Sequence, residues 1–329
     1  MSEVCLKVNK LKTSFSTPYG KVTAVNGLDL VLHRGEVLGL VGESGCGKSV
    51  SALSILGLIN SPGVIESGQI LFDGKDLLQL NNDELRKIRG KKISMIFQEP
   101  TTALNPVYKV GDQIAEAIML HQKVGYKIAL KRTLELLSLV GITSPELRMK
   151  SYPYQLSGGM CQRVMIAMAF SCKPEILIAD EPTTALDVTI QAQILSIIQK
   201  MKEIDKTAVM LISHDLGIIS ENADRLMIMY LGKVMETGKV SDIFNNPLHP
   251  YTRGLLGSIP KRGTHRKYNK LISIPGTVPS LINMPNGCAI NNRCQYAVPG
   301  LCNKKEPDLI KYEGTHYVRC WKYQGWDNE

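Results

Sequence analysis

The sequence of 329 residues is long enough for two domains and a sizeable buried core. Apolar residues make up 44% and charged residues 21%, which excludes a mainly disordered chain, and the net charge is +9. No apolar run reaches the roughly 18 residues that a membrane-spanning helix needs. The first residues lack the long apolar stretch of a secretory signal, so we expect the chain to stay in the cytosol.

Short apolar runs alternate with longer helical patterns along the first part of the chain. Runs at 28–32 and 69–75 predict small strands compatible with an antiparallel arrangement. Near-continuous apolar runs, typical of strands buried on both faces, occur at 35–41, 92–97, 175–180, 207–213 and 225–230. Helical patterns cover about 111–141 and the residues after Asp187. The alternation predicts an α/β fold with a largely parallel sheet covered by helices.

The composition changes near residue 245. Residues 261–329 contain 11 Lys and Arg against 5 Asp and Glu, and half of the 16 prolines lie from Pro247 onward. Four of the eight cysteines also fall in this tail, namely Cys288, Cys294, Cys302 and Cys320. We therefore predict a regular α/β domain over 1–245 and a small, irregular, Cys-rich C-terminal domain over 246–329.

Residues 42–49 read GESGCGKS and lie between a predicted strand and an apolar helical segment. This is the P-loop pattern in the context that it requires, and its three glycines let successive backbone N–H groups converge on a polyphosphate. The N-terminus of the following helix adds partial positive charge. Lys48 would contact the outer phosphates and Ser49 is suited to Mg²⁺, whereas we interpret Cys46 as a small filler.

The segment ILIADEP at 176–182 is an apolar run that ends in two acids. Asp180 could hold magnesium through water, and Glu181 could polarise an attacking water as a general base. The alternative interpretation is that the two acids only end a core strand and have no catalytic role. The P-loop in the same chain favours the catalytic one.

The segment LSGGMCQR at 156–163 begins another predicted helix. Ser157 is a natural N-cap, and Gly158 and Gly159 allow the backbone to approach an anion at the helix start. An ordinary helix cap is the commoner role for such a segment. The order of all the motifs is what decides between the two interpretations.

The P-loop, Gln98, LSGGM, ILIADE, TALD at 184–187 and His214 together resemble the ATP-binding cassette of ABC proteins, over essentially all of 1–245. The resemblance implies a P-loop NTPase cassette with a RecA-like core, an antiparallel β subdomain and an α-helical subdomain at about 100–170. It also implies ATP and Mg²⁺ as cofactors. Two cassettes would pair head to tail, each offering 157–159 to the nucleotide of the other.

The resemblance assigns roles to individual residues. Gln98 would sense the γ-phosphate and Mg²⁺, His214 would contact the γ-phosphate, and Asp187 would link the two sites. The predicted catalytic residues are thus Glu181, His214 and Gln98, and the predicted magnesium contacts are Ser49, Gln98 and Asp180. The predicted nucleotide contacts are Tyr19, Gly42, Ser44, Gly45, Cys46, Gly47, Lys48, Ser49, Val50, Ser157, Gly158, Gly159 and Asp187. Phe15 is the alternative to Tyr19 as the aromatic that stacks on adenine.

Two signature residues depart from the common pattern. Met160 stands where glutamine is common, and Cys161 stands where a branch of this family usually has arginine. Cys161 would remove a positive charge near the seam between cassettes, so we expect an altered nucleotide affinity.

The stretch MIFQEPTTALNPVYKVGDQI around Gln98, NPLHPYTRGLLGSIP at 246–260 and the later GCAINNRCQYAVPGLC resemble the dipeptide/oligopeptide importer branch. This implies an ATP-hydrolysing subunit that drives peptide import from the cytoplasmic face of the membrane, where it is peripheral. Its implied partners are a second homologous cassette, two transmembrane permease subunits and, through the complex, an extracytoplasmic peptide-binding protein. The residues after Gln98 and the block 111–141 would form the groove for a permease helix. A nickel or other small-solute importer is the alternative.

A soluble ABC ATPase that acts on nucleic acid is a less favoured alternative. Much of the excess positive charge lies in the tail, which lacks the interleaved aromatic and basic residues of a known RNA or DNA module. We therefore expect no nucleic-acid partner.

The tail cysteines follow the spacing C-x5-C-x7-C-x17-C. A cytosolic protein keeps its thiols reduced, so four thiols in an irregular segment favour a metal centre over disulfides. The paired C-x2-4-C knuckles frequent in zinc sites are absent from the sequence. The Cys-rich tails of the peptide-importer branch resemble this one and imply a structural [4Fe–4S] cluster, with Zn²⁺ or unligated thiols as alternatives.

Overall fold

The computed structural model describes residues 3–184, 186–259 and 274–325. Ala185 of the TALD motif and Pro260 at the end of the 246–260 segment lie outside the described residues. The strands of the described part are β1 (Val4–Thr17), β2 (Gly20–His33), β3 (Val37–Val41), β4 (Gly63–Phe72), β5 (Lys75–Asp76), β6 (Ile93–Ile96), β7 (Ile176–Asp180), β8 (Ala208–Ser213), β9 (Arg225–Tyr230), β10 (Lys233–Lys239), β11 (Ile310–Glu313) and β12 (His316–Val318).

The α-helices of the described part connect these strands. They are α1 (Lys48–Ile55), α2 (Asn82–Ile88), α3 (Pro100–Ala103), α4 (Val110–Gln122), α5 (Tyr126–Leu139), α6 (Pro145–Arg148), α7 (Gly158–Phe170), α8 (Val188–Asp205), α9 (Leu216–Asn222), α10 (Val240–Asn245) and α11 (Pro250–Gly257). Short 3₁₀ helices lie at Leu77–Gln79, Pro153–Gln155, Asn291–Arg293 and Trp321–Tyr323. No helix among the described residues is both long and apolar enough to cross a bilayer.

The chain divides into two compact units. The first comprises the described residues of Met1–Leu6, Leu32–Val37 and Phe72–Ile212. The second comprises those of Lys7–Val31, Leu38–Leu71 and Ser213–Glu329. The P-loop therefore belongs to the second unit, whereas the signature segment, Asp180 at the end of β7 and Glu181 directly after it belong to the first.

The first unit is built on the parallel strands β6, β7 and β8. Ile93 of β6 pairs with Ile176 of β7, and Ile178 of β7 pairs with Met210 of β8. Every residue of these three strands is buried, which confirms the prediction from their continuous apolar runs. Helix α7 packs on β6, and its buried face is formed by apolar side chains such as Val164 and Ile166.

The helical block predicted at 111–141 consists of two helices, α4 and α5. Helix α4 ends at Gln122 because Lys123 adopts a left-handed conformation with φ of 53°, and α5 begins after Gly125. The two helices pack on each other and on α7. A left-handed residue cannot continue an α-helix, so the chain reverses at this position.

The second unit contains a sheet to which the tail contributes. Strands β3 and β9 are parallel, and β10 lies antiparallel to both β9 and β12. Strand β12 pairs in turn with β11. The sequence predicts an irregular tail. The tail nevertheless contains regular structure, because two of its segments, β11 and β12, extend this sheet. Strand β1 lies between β2 and β4 in a separate sheet.

Glu236 on β10 anchors the tail to the body of the second unit. Its fully buried carboxylate accepts hydrogen bonds from the backbone N–H groups of Leu248 (2.8 Å) and His249 (2.9 Å). The ring Nε2 of His316 on β12 donates to the same carboxylate at 2.7 Å. Burial lowers the pKa of His249 to about 4, so this ring stays neutral at physiological pH. A buried carboxylate with three donors is well compensated and joins β10, β12 and the start of α11.

Candidate functional site

The P-loop connects β3 to α1, as the sequence predicts. Two of its glycines are required by close backbone approach. A Cβ at Gly42 would lie 2.2 Å from the Met229 carbonyl oxygen, and one at Gly47 would lie 2.2 Å from that of Ala24. Gly47 also has φ of 101° and caps α1, an eight-residue helix whose N-terminal N–H groups face the loop. The loop can therefore curl tightly only with glycine at these two positions.

The side chain of Lys48 folds back onto the first residues of the P-loop. Its ammonium donates to the carbonyl oxygens of Gly42 (2.8 Å) and Glu43 (3.3 Å), and the residue is only 5% exposed. The backbone carbonyl of Cys46 accepts from the N–H of Gly232 at 2.9 Å, which fixes the loop to the turn between β9 and β10. Burial raises the pKa of the Cys46 thiol, so the thiol stays protonated and acts as a filler.

The first unit brings Gln98 and Glu181 together. The amide Nε2 of Gln98 donates to Oε2 of Glu181 at 3.2 Å, and the hydroxyl of Thr184 donates to the same oxygen at 2.9 Å. Asp180 ends the buried strand β7 and is 4% exposed. The predicted magnesium ligand Asp180 and the predicted base Glu181 thus lie at the carboxyl end of a parallel strand, where ligand sites form in such sheets.

Glu181 itself has an unusual backbone. Its φ is 45°, in the left-handed region, and its N–H donates to the carbonyl oxygen of Ile212 at 3.0 Å. A non-glycine residue in this region costs on the order of 1–3 kcal/mol and is found mostly at functional sites. The conformation turns the side chain out of the strand direction toward Gln98 and Thr184.

The signature segment opens helix α7. Ser157 is the N-cap, and its hydroxyl accepts from the N–H of Met160 at 3.3 Å, which confirms the predicted cap. Ser157 and Gly158 are exposed, and a Cβ added to Gly158 would meet no atom within 4 Å. Below them, the amide of Gln162 donates to the carbonyl oxygen of Pro182 at 2.7 Å, which fixes α7 to the loop after Glu181. The helix start is therefore open to a ligand.

Cys161 is a buried residue of α7. It is 1% exposed, and its thiol contacts the carbonyl oxygen of Pro153 at 3.4 Å. The thiol therefore faces the interior of the first unit, and the altered nucleotide affinity expected from the missing arginine charge stays a prediction.

Three predicted residues lie at exposed positions. Tyr19, in the turn between β1 and β2, is 83% exposed, whereas the ring of Phe15 packs close to Gly63. Asp187 is the N-cap of α8 and accepts from the N–H of Ile190 at 3.0 Å. His214 follows β8 and precedes Asp215, the N-cap of α9. Of the two aromatics, Tyr19 therefore has the ring faces available for stacking.

The four tail cysteines line one cavity of about 290 Å³ in the second unit, together with His249 and Trp321. Backbone hydrogen bonds join their loops, for example from the N–H of Cys288 to the carbonyl oxygen of Cys302 at 2.8 Å. Burial and the neighbouring thiols raise the pKa of Cys288 to about 12. Within the described residues, no group of three or more His, Cys, Asp or Glu side chains is arranged so that it could hold a metal ion.

Comparison with known proteins places this geometry in a family. Residues 25–184 match the family model of ABC transporters, and residues 235–302 match that of the oligopeptide/dipeptide transporter C-terminal region. The oligopeptide transport ATP-binding protein OppD of Bacillus subtilis (strain 168) is 49% identical over 96% of this chain and 88% of its own. The dipeptide transport ATP-binding protein DppD of the same organism is 49% identical over 97% of this chain and 95% of its own.

The chain belongs to the ATP-binding proteins of the oligopeptide/dipeptide ABC transporters. It is therefore an ABC-type ATPase. A probable peptide ABC transporter ATP-binding protein of Sinorhizobium fredii (strain NBRC 101917 / NGR234) is 48% identical over 98% of this chain and 96% of its own.

The fold of this ABC ATPase is also that of solved cassettes. The ATP-binding cassette MJ0796, in a dimeric post-hydrolysis state bound to ADP and Pi, is similar with a TM-score of 0.65 at 27% identity. The match covers 71% of this chain and 98% of that one. The ABC cassette fold predicted from the motifs is confirmed.

Several residues of the ATPase site were not predicted from the sequence. The sequence singles out Thr184 only as part of the TALD motif, although its hydroxyl donates to Glu181. It assigns no role to Tyr251 or Arg293, although both contact Glu43 of the P-loop. A hydroxyl three residues after the predicted base is a local signal, whereas contacts across more than 200 residues leave none.

Proposed function

We propose that this ABC ATPase drives the import of di- or oligopeptides through a membrane permease, as a peripheral subunit at the cytoplasmic face. The observation that supports this most directly is the match of residues 235–302 to the oligopeptide/dipeptide transporter C-terminal region, in the same chain as a formed P-loop. A nickel or other small-solute cargo has less support, because the relatives described above are named for peptides. Action on nucleic acid has no supporting match among them.

The domain assignment remains as predicted from the sequence. A nucleotide-binding domain would cover 1–245, with a RecA-like core, an antiparallel β subdomain and a helical subdomain at about 100–170. The tail, 246–329, would form a small Cys-rich domain. Helices α4 and α5 fall within the proposed helical subdomain, and their position after Gln98 supports a role in docking a permease helix.

Two cassettes would pair head to tail, with a second homologous cassette as the partner. The exposed Ser157 and Gly158 at the start of the 13-residue helix α7 support this arrangement. A helix N-terminus attracts anions, so each signature segment would bind the γ-phosphate of the nucleotide on its partner's P-loop. Asp187 would connect the two sites, and Tyr19 would stack on adenine.

Glu181 would accept the proton of the attacking water. The donors Gln98 and Thr184 orient its carboxylate, so they would position the base rather than react themselves. His214 would contact the γ-phosphate. Lys48 and the P-loop N–H groups, with those of Ser44, Gly45 and Val50 among them, would bind the phosphates.

Oxygen donors fit the implied metal. Ser49, Gln98 and Asp180 supply a hydroxyl, an amide and a carboxylate, which are the hard ligands that Mg²⁺ prefers. When bound, Mg²⁺ would neutralise charge on the phosphates. The amide nitrogen of Gln98 is engaged by Glu181, so its oxygen is the atom that would face the metal.

A [4Fe–4S] cluster is our proposal for the tail cavity. The four tail cysteines line this one cavity, and Cys₄ is the ligand set of such clusters, which supports the proposal. When bound, the cluster would cross-link the loops that carry the cysteines. Zn²⁺ and unligated thiols are the alternative states that experiment must separate.

The metal content of the purified protein tests this assignment. Anaerobic preparations should contain about four iron atoms and four acid-labile sulfides per chain, with visible absorption from the cluster. Cys294→Ser should lose most of the iron, whereas Cys172→Ser, which alters a cysteine of the first unit outside the cavity, should keep it. Stoichiometric zinc without sulfide, or four freely reactive thiols, would contradict the cluster.

Gly158→Asp tests the head-to-tail pairing. Position 158 has room for a side chain, and aspartate at the first turn of a helix is favourable, so the variant should fold and bind ATP normally. A carboxylate facing the partner's γ-phosphate should lower the ATPase rate about 10²-fold, because like charges in contact cost several kcal/mol. Gly125→Asp, at the equally open start of α5, is the matched control and should keep the wild-type rate. Full activity of Gly158→Asp would argue against the paired site.

The cargo is tested on the intact membrane complex. We expect the chain to co-purify with two permease subunits and a related cassette or a second copy. Vesicles containing the complex should accumulate labelled di- or oligopeptides when ATP and the external peptide-binding protein are supplied. Uptake of nickel without peptide, or capture of nucleic acid that stimulates the ATPase, would replace the peptide assignment.

A further inference from the structure

Glu43, the second residue of the P-loop, is held by side chains from the tail. The guanidinium of Arg293 pairs with both carboxylate oxygens, at 2.7 Å from Nη1 to Oε2 and 3.1 Å from Nη2 to Oε1. The hydroxyl oxygen of Tyr251 accepts from the backbone N–H of Glu43 at 3.1 Å. The side chain and the main chain of one P-loop residue are thus both fixed by residues more than 200 positions later.

The guanidinium of Arg293 has further partners within the second unit. It is 7% exposed, its Nε donates to the carbonyl oxygen of Pro275 at 3.0 Å, and its Nη1 also donates to the hydroxyl of Tyr230 at 3.2 Å. The guanidinium carbon lies 5.7 Å from the centre of the Tyr230 ring. A charge buried this far is stable only with its counter-charge in place, so Arg293 and Glu43 depend on each other.

The negative charge of Glu43 would affect how tightly the P-loop binds phosphates. The residue lies between Gly42 and Ser44, inside the segment that would wrap around a polyphosphate, and an uncompensated carboxylate there would repel the phosphates. Its carbonyl oxygen also accepts from the ammonium of Lys48 at 3.3 Å, so the position of Glu43 influences where the lysine rests. A bidentate arginine pair both neutralises the carboxylate and fixes its direction.

We infer that Arg293 is a positioning residue for nucleotide binding, acting through Glu43, and that ATP affinity consequently depends on the cysteine-bearing segment of the tail. Arg293 ends the 3₁₀ helix Asn291–Arg293 and is followed directly by Cys294, a residue of the four-thiol cavity. A change in the loop that carries Cys294 would therefore displace the guanidinium from the P-loop. This inference rests on the proposed ATP site and adds a tail residue to it.

Direct ATP binding to the full chain separates this role from a structural one. Arg293→Ala should raise the Kd for ATP about tenfold, with a much smaller change of kcat at saturating ATP. Glu43→Gln should bind ATP at least as tightly as wild type, because it removes the negative charge. The double variant Arg293→Ala/Glu43→Gln should return the Kd to within about threefold of wild type. Rescue by removal of the second charge is not expected if Arg293 merely stabilises the tail.

Arg319→Ala is the matched control. Arg319 also lies in the tail, directly precedes a cavity cysteine and pairs with an acid, Glu306, but its guanidinium hydrogen-bonds to the tail and β10 rather than to the P-loop. Arg319→Ala should lower the thermal unfolding temperature of the chain without changing its Kd for ATP. An unchanged Kd in Arg293→Ala, or a double variant no better than the single one, would overturn the inference. Absence of ATP binding by the wild-type chain would instead overturn the proposed function.

The link to the cysteines has its own test in the same binding assay. Cys294→Ser should raise the Kd for ATP in the wild-type background by about as much as Arg293→Ala does. In the Arg293→Ala/Glu43→Gln background it should have little further effect, because the connecting pair is already absent. An equal increase in both backgrounds would show that the cysteine acts by another route and would overturn this part of the inference.

Discussion

Glu181→Gln should lower the ATPase rate by about 10²–10⁴, the range expected for the loss of a general base, while ATP binding is retained. Glutamine keeps the shape of the side chain and an oxygen that can accept from Gln98 and Thr184. The local geometry should therefore survive, and the loss should come from the missing basic carboxylate. Single-turnover hydrolysis and direct nucleotide binding on the same preparation measure the two quantities separately.

Glu135→Gln provides the control for this substitution. Glu135 is an exposed residue of α5 in the same unit, and its change removes the same charge away from the predicted base. It should leave the rate within about twofold of wild type, since surface substitutions usually have small effects. If Glu181→Gln hydrolysed ATP as fast as this control, Glu181 could not be the base.

Lys48→Ala should abolish measurable nucleotide binding at concentrations that saturate the wild type. The ammonium lies within the loop, where charge-assisted hydrogen bonds to phosphate contribute about 1.5–3 kcal/mol each. The loss of two such contacts corresponds to a rise of the Kd by about 10²-fold or more. Isothermal titration with ATP, or equilibrium binding of a labelled nucleotide, measures the change.

Lys7→Ala removes the same charge from an exposed position on β1 and should bind ATP as the wild type does. Lys48→Ala also leaves the carbonyl oxygens of Gly42 and Glu43 without this donor, so thermal unfolding should be compared for both variants. A Lys48→Ala protein that is folded and binds ATP with wild-type affinity would remove the lysine from the phosphate site.

The part of the fold that sequence predicts best is the part determined by local patterns. Strands β6, β7 and β8 are continuous apolar runs, and each is found within one or two residues of its predicted bounds. The helix starts at Ser157 and Asp187 were predictable for the same reason, because an N-cap is a local interaction. The P-loop needs only a strand, a glycine pattern and a helix in succession.

Elements stabilised by distant partners were not predictable in this way. Strands β11 and β12 contain few apolar residues in alternation. Strand β12 pairs with β10, which lies about 80 residues earlier, and β11 pairs with β12. The ion pair between Arg293 and Glu43 joins residues separated by 250 positions. Cys161 shows a related limit, since its residue type did not reveal that it points inward. Burial at one position depends on how whole elements pack.

The left-handed backbone at Glu181 has a consequence for attempts to make this enzyme more heat-resistant. Glycine would adopt φ of 45° with less strain than glutamate, so a search for stabilising replacements would favour removing the carboxylate that we propose as the general base. On that proposal, a gain in thermal tolerance at this residue would lower turnover. Substitutions intended to raise the thermal stability should leave Glu181 unchanged and be made elsewhere in the chain.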